Sequence, residues 1–314
     1  MPHWKSPLFL AAVLAASAWL PDSASAQRDR DRERDDTQDA QSRVDTTFAF
    51  SRNGVADLSQ ISGDIIVNAW DRSDARVRAY AERGRVRTGL SSSRITLGIE
   101  SVRGRVGDSK FEVWVPVGVR VIANSTSGDV TVKGTKGPVE AHSTSGDVVV
   151  SDATDRIVLE SVSGDVRASG LSGDVRSESV SGTLEIRDVT GDVRAETTSG
   201  DVSLLGVTSR NVVATTVSGE VDYDGTIDPN GRYEFHSHSG DIHLEIPENS
   251  SAQFSVETFS GSLDTEFQIT LQPGQRTTSR PRRFEFTLGG GSARVTAESF
   301  SGDIILARRA RRER

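Results

Sequence analysis

One short phrase, Ser-Gly-Asp followed by an apolar residue, returns at nearly constant intervals through the middle of the chain. The glycines of this phrase and of its Ser-Gly-Thr and Ser-Gly-Glu variants stand 18 residues apart, and once 19, at Gly128, Gly146, Gly164, Gly182, Gly200 and Gly219. A half-period echo at Gly173 and Gly191 gives the units two similar halves. A fixed period of this length is typical of architectures in which each unit stacks on the next.

Aligning the units on glycine places apolar residues in four columns. In the first unit these columns hold Val130 and Val132 after the glycine, then Val139 and Ala141 in the second half, and the pattern continues to Leu306. Because side chains alternate faces along a strand, residues two apart share a face and all four columns can point inward. The sequence therefore predicts an all-β, single-domain parallel β-helix or β-solenoid with about 18–21 residues per coil. We expect its units to stack in chain order, with a right-handed coil favoured.

Both ends of the chain differ from the repeats. Residues 1–26 combine Lys5, an apolar run and the small-residue motif Ala24-Ser25-Ala26, which predicts a secretory signal peptide rather than a membrane anchor. Residues 27–43 are charged and predict a disordered linker, and 307–314 form an arginine-rich tail. The repeat domain is predicted over 44–306, less regular at 83–124 and with an inserted loop or hairpin at 266–292.

The predicted signal indicates an exported protein, whether periplasmic, on the cell surface or secreted, with no transmembrane segment after signal removal. The chain has no cysteine, so its stability outside the cytoplasm comes from packing and hydrogen bonds. The net charge of -8 argues against a nucleic-acid-binding protein, which would need a basic face for phosphates. A cell-envelope component or a polysaccharide is the partner class that remains, and no oligomeric state is indicated.

Within the repeated phrase, glycine is explained by a sharp turn and the following apolar residue by the core. The aspartates are left as an outward ladder of candidate binding residues: Asp129, Asp147, Asp165, Asp201, Asp241 and Asp303. Stacked carboxylates repel one another, so we expect them to be solvated and bonded to turn amides, or to be neutralised by a cation, for which calcium is the natural candidate outside the cell. The spacing differs from that of calcium-binding nonapeptide repeats, which favours the turn role.

A histidine-rich stretch is the weak metal candidate of the sequence. His236 and His238 are predicted to share one strand face, while Asp241 and His243 share a face across the turn. Imidazole and carboxylate ligands suit a transition metal, although no second shell is evident around them.

Outward positions also carry charged side chains, with Arg167, Arg176 and Arg194 expected near Glu160, Glu178 and Glu196. This face predicts surface ion pairs, with a sugar-binding strip as the alternative. The excursion at 263–294 predicts either a side loop or a binding loop. Motifs of serine hydrolases, phosphate loops and zinc peptidases are not found in the sequence, so we expect a non-catalytic structural or adhesive surface. The alternatives are a polysaccharide lyase or hydrolase of the β-helix type and a calcium-stabilised scaffold.

Three segments together resemble the bacterial "putative adhesin" family of β-strand-repeat envelope proteins of unknown function. They are the Ser-Gly-Asp-apolar corners, the opening stretch Ile61–Asp71, and Phe111–Gly128 with its proline turn. The resemblance covers about residues 55–306 and implies an exported β-solenoid, with no catalytic residues to carry over. The chain departs from the plainest members in the 263–294 excursion and in its arginine-rich ends.

Overall fold

The computed structural model describes residues 42–101, 107–269 and 281–309. All of them belong to one compact unit, Gln41–Arg314. The predicted signal peptide, most of the predicted linker, the middle of the 266–292 insertion and the end of the tail lie outside the described residues. Within these ranges the chain forms 25 strands and contains no helix that is long and apolar enough to cross a membrane.

Seven strands precede the regular repeats: β1 (Ser42–Ala49), β2 (Val55–Trp70), β3 (Asp74–Ala81), β4 (Arg85–Leu90), β5 (Arg94–Glu100), β6 (Ser109–Pro116) and β7 (Arg120–Ser127). Strand β2 turns a corner at Gly63 and joins two sheets. Its first half is parallel to β5 and β7 in the sheet that we call sheet B, and its second half is parallel to β6 in sheet A. The glycine at this corner has a φ of 109°.

Each regular repeat forms one coil with one strand in each sheet. The strands that precede a corner lie in sheet B: β9 (Val139–Ser145), β11 (Ile157–Ser163), β13 (Val175–Ser181), β15 (Val193–Ser199), β17 (Asn211–Ser218) and β19 (Arg232–Ser239). The strands that follow a corner lie in sheet A: β8 (Val130–Lys133), β10 (Val148–Ser151), β12 (Val166–Ser172), β14 (Leu184–Thr190), β16 (Val202–Val207), β18 (Val221–Gly225) and β20 (Ile242–Ile246). Neighbouring coils pair in parallel and in register, so the all-β parallel solenoid is confirmed.

The predicted inward columns form the core. From Val130 to Leu244 every member of the four columns is buried, and apolar members join one core shared by both sheets. The exception lies near the C-terminal end, where Leu263 and Thr265 are only half-buried. One coil cannot cover both of its faces, so each depends on its neighbours for burial and for ladder hydrogen bonds.

The expectation that the units stack in chain order is wrong at the C-terminal end. The last strands are β21 (Ala252–Thr258), β22 (Leu263–Thr265), β23 (Arg282–Leu288), β24 (Ala293–Ser301) and β25 (Ile304–Arg308). The last coil of the chain, β24 with β25, pairs directly with β19 and β20. The earlier coil, β21 with β22, lies outside it, and β23 then closes sheet B by pairing antiparallel with β21.

The N-terminal end shows a similar departure from chain order. Strand β3 runs antiparallel to β1 and to β6 instead of continuing the parallel stack. Strand β4 is antiparallel to β5 at the end of sheet B. Strand β1 begins at Ser42, two residues before the predicted start of the repeat domain. Antiparallel strands thus terminate both sheets here, which caps the parallel stack.

The glycine corners stack so closely that no side chain fits between them. A Cβ built on Gly200 would lie 2.2 Å from the carbonyl oxygen of Gly182, and the φ of Gly200 is 144°. The same close approach recurs at the corners of neighbouring coils. Glycine is therefore required both by the backbone conformation and by the spacing of the coils.

A second ladder runs inside the corner and was not anticipated from the sequence. The residue three positions before each regular corner glycine is a buried serine or threonine: Ser125, Ser143, Ser161, Ser179, Thr197, Thr216, Ser237, Thr258 and Ser299. The Ser161 hydroxyl donates to the carbonyl oxygen of Gly146 at 3.2 Å, and Thr216 donates to Gly200 at 2.9 Å. The serine directly before each of these glycines is exposed.

Replacing Gly200 by alanine tests the corner. We expect a loss of about 3 kcal/mol or more in the free energy of unfolding, because the new methyl group meets a backbone carbonyl and strains φ. Urea denaturation measures it. Gly89→Ala is the matched control, since its Cβ would meet nothing closer than Thr96 Cβ at 3.5 Å. Equal losses in the two variants would contradict the role given to the corner.

Replacing Ser161 by alanine tests the buried hydroxyl ladder. The carbonyl oxygen of Gly146 then loses a part-buried hydrogen bond, so we expect the free energy of unfolding to fall by about 0.5 to 1.5 kcal/mol. Ser163→Ala, at the exposed serine before Gly164, should change it by less than about 0.5 kcal/mol. A larger effect at Ser163 than at Ser161 would show that the wrong hydroxyl has been assigned.

Candidate functional site

The six aspartates of the predicted ladder all lie at corners and all bond to the next coil. Asp129 Oδ1 accepts from the backbone N–H of Asp147 at 2.9 Å, and Asp147 Oδ1 accepts from that of Asp165 at 3.0 Å. The remaining acceptor bonds run from Thr183 N–H to Asp165, Glu220 N–H to Asp201, Asp303 N–H to Asp241 and Ser262 N–H to Asp303. One oxygen of each carboxylate is therefore used to join coils. Whether the ladder also binds a ligand or a cation stays a prediction.

Arg167 neutralises part of this ladder. Its guanidinium contacts Asp147 at 2.6 Å and Asp165 at 2.5 Å, so a single cation bridges two successive corners. Partial burial acts to raise the pKa of Asp147. The hydrogen bonds from Arg167 and from the Asp165 backbone outweigh that effect and hold this pKa below its ordinary value of 3.8.

The lowered pKa of Asp147 predicts a pH dependence of stability. Ionised Asp147 stabilises the fold above its ordinary pKa, and this contribution is lost as the pH falls through the lower pKa of the folded state. Asp147→Asn should thus be less stable than the original protein at pH 7 by at most about 1 kcal/mol, because the pair is partly solvated. The difference should shrink on acidification, as followed by urea unfolding at several pH values. Arg167→Gln should behave similarly, whereas a difference that is constant with pH would contradict the assignment.

The structure does not bring the four residues of the histidine-rich stretch into one site. His236 Nδ1 faces Glu298 at 3.4 Å, and the ring of His238 stacks on Phe300 with a centroid distance of 4.8 Å. His243 lies on sheet A, where its Nδ1 is 3.5 Å from Asp222. In the ranges that the structure describes, no three His, Asp or Glu side chains are grouped as a metal site.

A groove of about 870 Å³ runs across sheet B beside the corners. It crosses six coils, from the coil of Gly63 to that of Gly200, and is lined by the same three positions of each coil. These are the residues four, three and two before the corner glycine. The β4–β5 hairpin contributes Arg87 and Ile99 at one end. Because the coils are in register, both walls of the groove repeat from one coil to the next.

The first wall is polar and consists of the residues four before each glycine. In spatial order these are Ser59, Asn124, His142, Glu160, Glu178 and Glu196, each paired in register with the next. His142 Nδ1 lies 2.9 Å from Glu160, and Arg176 and Arg194 form ion pairs with the glutamates of their own strands. The wall therefore offers many hydrogen-bonding groups without a large uncompensated charge.

The second wall is formed by the residues two before each glycine and consists of three aliphatic residues and three threonines. Its members in spatial order are Ile61, Thr126, Thr144, Val162, Val180 and Thr198. Val162 and Val180 are 46% and 50% exposed, which is unusual for valine on a strand. Beyond the groove the same row continues through Val217 to His238, Phe300 and Phe259, whose rings stack on one another.

The floor of the groove is the buried hydroxyl ladder. Ser143, Ser161 and Thr197 turn inward between the two walls and bond to carbonyl oxygens of the preceding coil. Small side chains at this position leave the depression that larger residues would fill. The sequence does carry a signal for this groove, namely a Ser or Thr three residues before each regular corner glycine from Gly128 onward, with Gln60 in the coil of Gly63. Alignment on the apolar columns alone misses this signal.

Comparison with known proteins gives one family and two solved structures. The model of the family described as Toastrack DUF4097 matches residues 172–307. The chain is 8% identical to a putative cell adhesion protein from Clostridium sporogenes ATCC 15579, with 85% of this chain and 99% of that chain covered and a TM-score of 0.21. It is 10% identical to a putative adhesin from Bacteroides fragilis NCTC 9343, with 84% and 96% covered and a TM-score of 0.36. No curated protein matches the chain.

The family match lies within the region that resembles β-strand-repeat proteins of unknown function, and it begins at the end of β12. It supports that resemblance over the later coils. The groove lies mostly before it, between Ser59 and Thr198.

Proposed function

We propose that this chain is a non-catalytic, exported β-solenoid that acts as an adhesive surface and binds an envelope component along the groove of sheet B. Export is supported by the predicted signal peptide at residues 1–26. The partner is expected in the periplasm, at the cell surface or outside the cell.

One observation carries the proposal: the groove is continuous over six coils and its walls repeat in register. Val162 and Val180 point outward and do not contribute to the core. A row of exposed apolar side chains is typical of a surface that contacts another molecule. Of the glutamates beside them, Glu178 and Glu196 form ion pairs with Arg176 and Arg194 and Glu160 contacts His142, which suits holding a ligand better than proton transfer.

Two other surfaces remain weaker candidates. In the aspartate ladder, one carboxylate oxygen of each residue already bonds to the next coil, so less of it is available to a ligand or to calcium. The predicted binding loop at 263–294 lies partly outside the described residues and stays a prediction.

The proposal is tested by the double variant Val162→Arg and Val180→Arg. Two long charged side chains would block the groove, so binding of the mature protein to purified envelope fractions of the source organism should weaken by about tenfold or more. Co-sedimentation across a range of protein concentrations measures this. Ser203→Arg, on the outer face of sheet A, is the matched control and should bind as the original protein does.

Thermal unfolding of all three proteins first establishes that the variants are folded. Equal binding by the double variant and the control would contradict the proposed site. Release of soluble fragments from envelope polysaccharide by the original protein would contradict the non-catalytic role and favour the polysaccharide-acting alternative.

A further inference from the structure

We infer that the occupant of the groove is an uncharged linear glycan, bound with about one sugar unit to each coil. This inference rests on the proposed function and narrows the envelope component to one chemical class. The register, the free groups and the charge of the groove each contribute to it.

The spacing of the coils favours a polymer whose units repeat at a similar distance along its length. Equivalent wall residues such as Glu160, Glu178 and Glu196 face the groove once per coil, so the site repeats every ~4.8 Å. An extended β-1,4-linked sugar chain advances by a similar distance per unit but turns each unit over relative to the last. Each unit can therefore lie beside one coil, and every second unit presents the same groups to the walls. An extended peptide repeats its side-chain direction only every two residues, about 6.6 to 6.8 Å, and falls out of register.

Sheet B has no open edge in this groove. Strands β11, β13 and β15 are each paired with a neighbouring strand on both sides. A peptide therefore cannot be held there by adding a strand, which is the mode that an open sheet edge would allow. The ligand must be bound by side chains alone.

The two walls suit the two kinds of surface that a sugar chain presents. On the polar wall, Glu160, Glu178 and Glu196 can accept hydrogen bonds from hydroxyl groups of the sugar. Asn124 can accept such bonds and can also donate them to sugar oxygens. Opposite them, Val162 and Val180 with the threonine methyl groups can pack against the C–H faces of the rings.

The charges along the groove balance. Arg176 and Arg194 pair with Glu178 and Glu196, and Arg87 lies at the end of the groove that the β4–β5 hairpin closes. A strongly anionic polymer would meet the glutamate row, and a strongly cationic one would have to displace the arginines from it. An uncharged polymer needs no counter-charge and is favoured.

The test is a length series of two neutral probes, cello-oligosaccharides and β-1,4-linked N-acetylglucosamine oligosaccharides, each of roughly two to eight units. Calorimetry should show for at least one series an affinity that rises by about twofold or more per added unit and levels off near six, because the groove spans six coils. Binding of neither series, or an affinity that does not change with length, overturns the inference.

Val180→Arg should abolish the length dependence, whereas Ser203→Arg should preserve it. Tighter binding of oligogalacturonides or of deacetylated, cationic glucosamine oligomers than of both neutral series would also overturn the inference.

A parallel experiment separates this inference from the proposed function. Envelope fractions are treated either with a mixture of cellulase and chitinase, which cleave the β-1,4 linkages of the two probe chains, or with protease. We expect the glycan-cleaving enzymes to remove binding and protease to leave it. The opposite result would assign the groove to a protein ligand and overturn the inference while the proposed site stands, whereas binding that ignores the Val162 and Val180 substitutions overturns both.

Discussion

The corner of each coil lies directly against the corner of the next, with the glycine of one facing the glycine carbonyl oxygen of the other. A Cβ at Gly164 would come within 2.2 Å of the Gly146 carbonyl oxygen, so this contact leaves no freedom in how far apart the coils lie. The aspartate carboxylate on the outside and the Ser or Thr hydroxyl on the inside then bond across the same boundary. The glycine contact recurs at every regular corner, and at most corners a carboxylate, a hydroxyl or both add to it; the rest of the solenoid depends on the register that these interactions set.

Register explains why the outer face can act as one surface. When each coil places its residues at equivalent positions, a row of side chains becomes a wall, and small hydroxyl residues between two rows become a floor. The groove is therefore a consequence of the stacking together with the choice of Ser or Thr at a single position per repeat. The same corner that cannot change without loss of stability leaves its outward neighbours, such as Val162 and Val180, free of any role in the core.

The periodic sequence predicts the coil, its two halves and its inward columns because the core requires an apolar residue at every second position. It does not predict the order of the coils at the ends. The corners of Gly261 and Gly302 both have a serine before the glycine and an apolar residue two after it, so these positions alone do not show which of them follows Gly240. Contacts between outward residues, His236 with Glu298 and His238 with Phe300, distinguish the observed neighbours. Such pairs are not periodic, so alignment of the repeats does not reveal them.

The candidate site was predicted only in part, for a related reason. The aspartates stand out in the sequence because they repeat, yet what repeats most strictly serves the stacking. The groove residues differ in type along one wall, for example His142 in one coil and Glu196 in another. They form one surface because each occupies the same position before the glycine of its coil. On a solenoid, a binding surface is thus best sought at outward positions whose residue type changes from coil to coil, beside corner positions whose residue type stays the same.

The most direct measurement uses the absence of cysteine from the chain. A single cysteine at Val180, labelled with a photoactivatable crosslinker, places a probe in the groove, and one at Ser203 places the same probe on sheet A. On irradiation with envelope fractions, the account predicts crosslinked glycan from position 180 and little from position 203. Equal crosslinking from both positions, or crosslinking from position 203 alone, would contradict it.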